Sequence, residues 1–162
     1  MDIGMNITNG DFSLRAAALI INNNQLLGIK HDNYDCFYTI GGGVNVNETS
    51  TDAVIREVCE ETGYLLSVDR LVYIQERFYN INNIHHHEVV FFYLMKSTDV
   101  RIENENCTDH QEEKLYWLPI DELQNTNLVP EFLRTALTYI PEEIVHIISK
   151  EEGISVWNVA ES

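Results

Sequence analysis

Apolar residues come in short runs separated by polar turns, and the runs differ in period. Residues 14–21 (LRAAALII) form a near-continuous apolar stretch and predict a buried strand. Three asparagines at 22–24 make a turn, and residues 25–30 (QLLGIK) predict the return strand. Residues 36–40 predict a short strand that runs into Gly41, Gly42 and Gly43. From Thr49 to Thr62 the apolar positions recur with a helical period and stop at Gly63. Residues 71–77 and 88–95 predict two strands across a polar turn at 80–83. The stretch 89–95 (VVFFYLM) is apolar on both alternating faces, as a central strand covered on each side requires. Residues 101–111 predict a polar loop, 114–118 a short strand, and 120–124 the start of a short helix. Pro130 and Pro141 predict the openings of two further amphipathic helices. Strands and helices intermix, which predicts an α/β fold with a mixed sheet between helical layers.

A chain of 162 residues suits one domain, expected to span 1–162 with residues 1–10 and 153–162 as peripheral tails. Ten basic and 26 acidic residues give a net charge of −16. Such a surface repels phosphate backbones and argues against binding long nucleic acid, whereas a small anion could still bind through a cation. Cys36, Cys59 and Cys107 are scattered, which argues against a disulfide framework and a structural zinc site. The first ten residues lack an apolar signal core, and no apolar run approaches the roughly 18 residues that span a bilayer. These features predict a cytoplasmic protein with no membrane partner.

The chemistry is concentrated in residues 41–64, GGGVNVNETSTDAVIREVCEETGY. Thr49, Ser50 or Thr51 suits the helix N-cap, Asp52 the first turn, and Gly63 the left-handed position after the last turn. The period places Val54, Ile55, Val58 and Cys59 on one face, expected to pack on the sheet. Glu57, Glu60 and Glu61 fall together on the other side, where Ala53 would leave open space. Like charges at this spacing cost a few tenths of a kcal/mol per pair, roughly. Three converging carboxylates suit a hard divalent cation, which takes oxygen ligands. A solvated acidic helix in an acidic protein explains the three glutamates equally well.

The surrounding pattern separates those readings. Gly42, Glu48, Arg56, Glu57, Val58, Glu60, Glu61 and Gly63 fill G-x5-E-x7-R-E-U-x-E-E-x-G-U without a gap, where U is a bulky apolar residue. This resembles the signature of the Nudix hydrolase family. Tyr64 stands where an aliphatic residue is more usual, Ile40 where a proline is common, and Asn45-Val46-Asn47 where a Glu-Pro-Gly-like turn is typical. The resemblance implies an α/β/α sandwich and hydrolysis of a nucleoside diphosphate linked to another moiety. It implies Mg²⁺, or Mn²⁺, held by Glu57, Glu60, Glu61 and the backbone carbonyl of Gly41. Arg56 would orient a carboxylate, Glu57 or Glu48, and Glu48 would support the metal site through water. The general base would be Glu57, or a loop glutamate outside the signature, for which Glu112 and Glu113 are the candidates. A homodimer is expected by the same analogy.

Outside the signature, Lys30 could contact a substrate phosphate or simply end a strand in solvent. Arg77 and Tyr79 could hold a phosphate and stack a base, or close a strand against the core. His85, His86 and His87 lack acidic or cysteine partners at ligand spacing and read as a strand entry. Trp117 reads as a core anchor. Two other functions fit the same sequence: a catalytically silent nucleotide-sensing module, and an acidic scaffold that binds divalent ions.

Overall fold

The computed structural model describes residues 1–96, 100–101 and 112–151. Nearly all of the loop expected at 101–111, with Cys107, and the tail at 153–162, with Trp157, lie outside the described residues.

The element order is β1 (Gly4–Ile7), β2 (Gly10–Leu19), β3 (Ile21–Asn22), β4 (Gln25–His31), β5 (Phe37–Gly43) and α1 (Ser50–Thr62). Then follow β6 (Val68–Ile81), β7 (Ile84–Met95), β8 (Glu113–Pro119), a 3₁₀ helix (Ile120–Asn125), β9 (Leu128–Val129), α2 (Leu133–Ala136) and β10 (Val145–Glu151). Among the described residues the ten strands join in one mixed sheet, ordered β10-β6-β7-β2-β5-β4-β3, with β1 on β2, β8 on β4 and β9 on β5. As expected, β7 is central, parallel to β2 on one side and antiparallel to β6 on the other.

Strand alternation builds a core on each face of the sheet. Ala16, Ala18, Leu27 and Tyr93 pack toward α1 with Val54 and Val58. Ala17, Leu19, Leu26 and Phe92 face the opposite layer, made by Leu123 of the 3₁₀ helix, Leu128, and Leu133 of α2. Helical layers therefore sandwich the sheet, and Trp117 packs against the α1-side core as anticipated.

Four expectations need correction. Pro141 opens no helix: residues 145–151 (VHIISKE) alternate in exposure and add β10, parallel, to the edge of β6. The helix expected at Pro130 shrinks to the four residues of α2. The first ten residues are knitted into the sheet, since β1 pairs with β2 and Asp2 bridges to Asn45. The β6–β7 hairpin also runs well past the expected strand ends. Its two-residue turn, Asn82-Asn83, has both residues left-handed (φ 53° and 64°), a geometry whose twist matches the flanking strands.

Candidate active site

Helix α1 begins and ends where its caps dictate. The Thr49 hydroxyl accepts the Asp52 N–H at 3.0 Å, and Gly63 closes the helix at φ 76° with its N–H donated to the Cys59 carbonyl. Its buried side holds Val54 and Val58 with Ile55 packed beside them, as expected, and departs from the expected face at Cys59. Ala53, Val54, Val58, Glu61 and Thr62 face inward, while Cys59 is exposed. Ala53 fills its place completely and leaves no open space.

The reason lies in the opposing glycines. Gly41 sits at φ 150°, and a Cβ there would overlap the carbonyl oxygen of Ala16. A Cβ on Gly42 would overlap the Glu57 carboxylate. A strand end without side chains thus lets two glutamates press against backbone. Glu57 lies on Gly42, and Glu61, buried, accepts the Gly41 N–H at 3.2 Å.

Arg56 is the hub of the remaining acids. Its Nε and Nη2 grip both oxygens of Glu48 at 2.8 and 3.0 Å. Nη1 donates to Glu57 Oε1 at 2.6 Å and to Glu60 Oε2 at 3.3 Å, and Nη2 also reaches the Gly43 carbonyl at 3.0 Å. The Glu48 carboxylate also accepts the Asn45 N–H at 2.9 Å. One guanidinium therefore ties the glycine strand, the loop before α1 and the helix together. Replacing it, as in Arg56→Met, is expected to cost about 2–3 kcal/mol and lower the melting temperature by about 5–10 °C, read by calorimetry.

The carboxyls titrate in opposite directions. The Arg56 hydrogen bonds hold Glu48 down at about 2, whereas burial pushes Glu57 up against the pull of Arg56. A depressed carboxyl contributes stability above its ordinary pKa and loses it as pH falls through the folded value. The stability gap between wild type and Glu48→Gln should therefore be widest near neutrality and close from about pH 5 toward 2. Glu57 works with the reverse sign, since its buried charge is relieved by protonation. Melting temperatures across that range test both.

Beside the acids a cavity of about 350 Å³ opens, within the range of small-molecule sites. Gly41 and Glu61 form its edge, Arg15, Gln75, Arg77, Tyr79 and Glu88 its polar floor, and Tyr34, Tyr38 and Glu113 part of its wall. The two loop glutamates separate here. Glu113 begins β8 and lines the cavity, while the Glu112 side chain is 73% exposed and lies 3.1 Å from His31 Nε2.

Lys30 is outside the cavity lining, paired with Asp35 at 3.2 Å and lying over the Phe37 ring. Arg77 and Tyr79 are in the floor, but Arg77 is already engaged. Its Nε and Nη2 take the two oxygens of Glu151 at 3.0 and 2.8 Å, and Nη1 lies 3.5 Å from Glu88. Tyr79 lies under that guanidinium and donates its hydroxyl to Glu88 at 3.0 Å. His86 stacks on Tyr79 and pairs with Asp11, and His87 is held between Phe12 and Phe78. Sequence reasoning missed Arg15, Gln75 and Glu88 as cavity residues. The period-2 pattern of β2, β6 and β7 places them on one face, but only once the strand register is known.

The acids also fit a cation by chemistry. Glu57, Glu60 and Glu61 are hard oxygen donors, and burial already disfavours the lone charge on Glu57. They are not gathered into a ready-made cage: among the described residues no three His, Cys, Asp or Glu side chains are grouped to hold a metal ion.

A family model described as a NUDIX domain matches residues 12–138. The chain belongs to that family and is a Nudix hydrolase. No curated protein matches the sequence. Among solved structures it is similar to the MutT mutator protein of Bacillus halodurans, with 15% identity, TM-score 0.62, and 91% of this chain and 94% of that one covered. It is also similar to a MutT Nudix hydrolase of Burkholderia pseudomallei, with 24% identity, TM-score 0.51, and 68% and 84% covered. An ADP-ribose pyrophosphatase of Streptococcus suis matches with 16% identity, TM-score 0.54, and 85% and 98% covered. These likenesses show the fold. Among the described residues no helix is long and apolar enough to cross a membrane.

Proposed function

We propose that this Nudix hydrolase uses Mg²⁺, with Mn²⁺ as a substitute, to cleave a diphosphate bond in a nucleoside diphosphate linked to another moiety. The observation that carries this reading is the joining of the α1 carboxylates to a ligand-sized cavity across the glycine strand, with Glu61 and Gly41 in both. Glu57, Glu60, Glu61 and the Gly41 carbonyl would hold the cation. When bound it supplies charge neutralisation of the diphosphate and a more acidic water.

The chain's own residues do the rest. Arg56 fixes Glu57 against Gly42 and keeps Glu48 ionised beside it. Glu113, which lines the cavity, would take a proton from the attacking water, and Glu57, its carboxyl raised by burial, would be the other acceptor. The aromatic wall at Tyr34 and Tyr38 suits a flat organic group on the far side of the phosphates.

The test is a metal-supplemented panel of nucleoside triphosphates, nucleotide sugars, dinucleoside polyphosphates and non-nucleotide diphosphates, with products identified. Phosphorylated products formed only with Mg²⁺ or Mn²⁺ are expected. Tight nucleotide binding with no turnover of any compound would instead favour a sensing module.

A further inference from the structure

Four arginines of this acidic chain give their guanidinium to protein oxygen atoms. Arg56 and Arg77 bind carboxylates, Arg70 the Glu142 carbonyl, and Arg134 the Leu128 carbonyl. Arg15 is different. It is partly buried and lines the cavity, yet among the described residues its side chain makes no hydrogen bond and no ion pair. Its charge is felt at longer range by Glu57 and Tyr79, but among the described residues no oxygen takes its N–H donors, although carboxylates outnumber cations in this chain by 26 to ten.

The strand register shows how this comes about. Gln75, Val90 and Arg15 stand in one row across β6, β7 and β2, and Arg77, Glu88 and Ser13 stand in the next. Glu88 is therefore the diagonal neighbour of Arg15, within reach of two long side chains. Glu88 is already taken. It accepts the Tyr79 hydroxyl at 3.0 Å and Ser13 Oγ at 3.4 Å, and faces Arg77 at 3.5 Å. Arg77 is in turn clamped by both oxygens of Glu151, from β10. In the row of Arg15, the buried Gln75 gives Nε2 to Ser149 and leaves its Oε1 without a partner. The floor thus holds a guanidinium with unused donors and an unpaired acceptor, and the site edge is two residues along β2, where Ala17 pairs with Gly41.

We propose that Arg15 binds a phosphate group of the substrate from the cavity floor, and that Arg77 acts as a positioning residue that occupies Glu88 and so keeps Arg15 free. This rests on the diphosphohydrolase reading above and adds to it the residue that holds the phosphate opposite the acids. Arginine matches phosphate oxygens with paired donors, so the interaction tolerates lysine only in part.

The experiment measures binding of inorganic pyrophosphate with Mg²⁺ by calorimetry, beside kcat and KM for the best substrate of the panel. Arg15→Gln should weaken pyrophosphate binding and raise KM by about ten- to a hundredfold. Arg15→Lys should recover part of the loss, and the melting temperature should stay near that of wild type. Arg77→Met should also weaken pyrophosphate binding, because Glu88 is released onto Arg15. Arg77→Met combined with Glu88→Gln should restore it, which a merely structural Arg77 would not do. Unchanged pyrophosphate affinity and KM in Arg15→Gln, with the wild type active, overturns the inference and leaves the hydrolase reading intact. A wild type that turns over nothing, but loses pyrophosphate affinity in Arg15→Gln, overturns that reading and keeps the phosphate site. Failure of the double variant to recover what Arg77→Met loses removes the role given to Arg77.

Discussion

Glu57→Gln is expected to lower turnover by about a thousandfold while the protein stays folded. Glu57 stands where three demands meet. It is an oxygen donor on the side of α1 proposed to hold the cation, it is aimed by Arg56 at 2.6 Å, and its carboxylate rests on Gly42 with no side chain between. Glutamine keeps the shape and loses both the charge and the proton-accepting oxygen. Stability should not suffer in proportion. Burial disfavours the Glu57 charge, so the neutral amide removes a desolvation cost while it weakens the bond from Arg56. Steady-state kinetics and a thermal melt at neutral pH separate the two effects. Turnover equal to wild type would remove α1 from the mechanism.

The second large effect distinguishes adjacent residues. Glu113→Gln should reduce kcat by about a hundredfold, and Glu112→Gln should leave it within about twofold. Glu112 is the turn residue just before β8, and Glu113 is the first residue of that strand. Glu113 lines the cavity, whereas Glu112 is mostly in solvent beside His31. Equal losses in both variants would contradict the placement. A loss confined to Glu113, together with a shifted acid limb in the pH–rate profile, would assign it the proton-accepting role over Glu57.

The signature residues were legible because their chemistry is local. The caps at Thr49 and Gly63 and the spacing of the glutamates are all set within one helix and the turn before it. The helix's inward face was misread in part, for an instructive reason. Counting apolar positions rightly puts Val54, Ile55 and Val58 against the core and errs at Cys59, which is exposed, while the buried Glu61 escapes the count because glycines across the interface admit its carboxylate. The cleft floor was less accessible. Arg15, Gln75 and Glu88 are separated by up to 73 positions in sequence and meet only through strand register. Pro141 reads as a helix start, so the chain after it predicts helix where 145–151 forms a strand. Its alternating exposure is that of a strand, but its place at the edge of β6 follows from the sheet, not from the segment itself.

The position of β10 has a consequence for the cavity floor. The strand lies beyond the residues matched by the family model, yet Ser149 and Glu151 brace Gln75 and Arg77 from outside. The cavity floor at Gln75 and Arg77 is thus buttressed by a stretch of polypeptide outside the family match. Exchanging the side chains of β10 would therefore alter the support of that floor without touching α1 or the glycine strand.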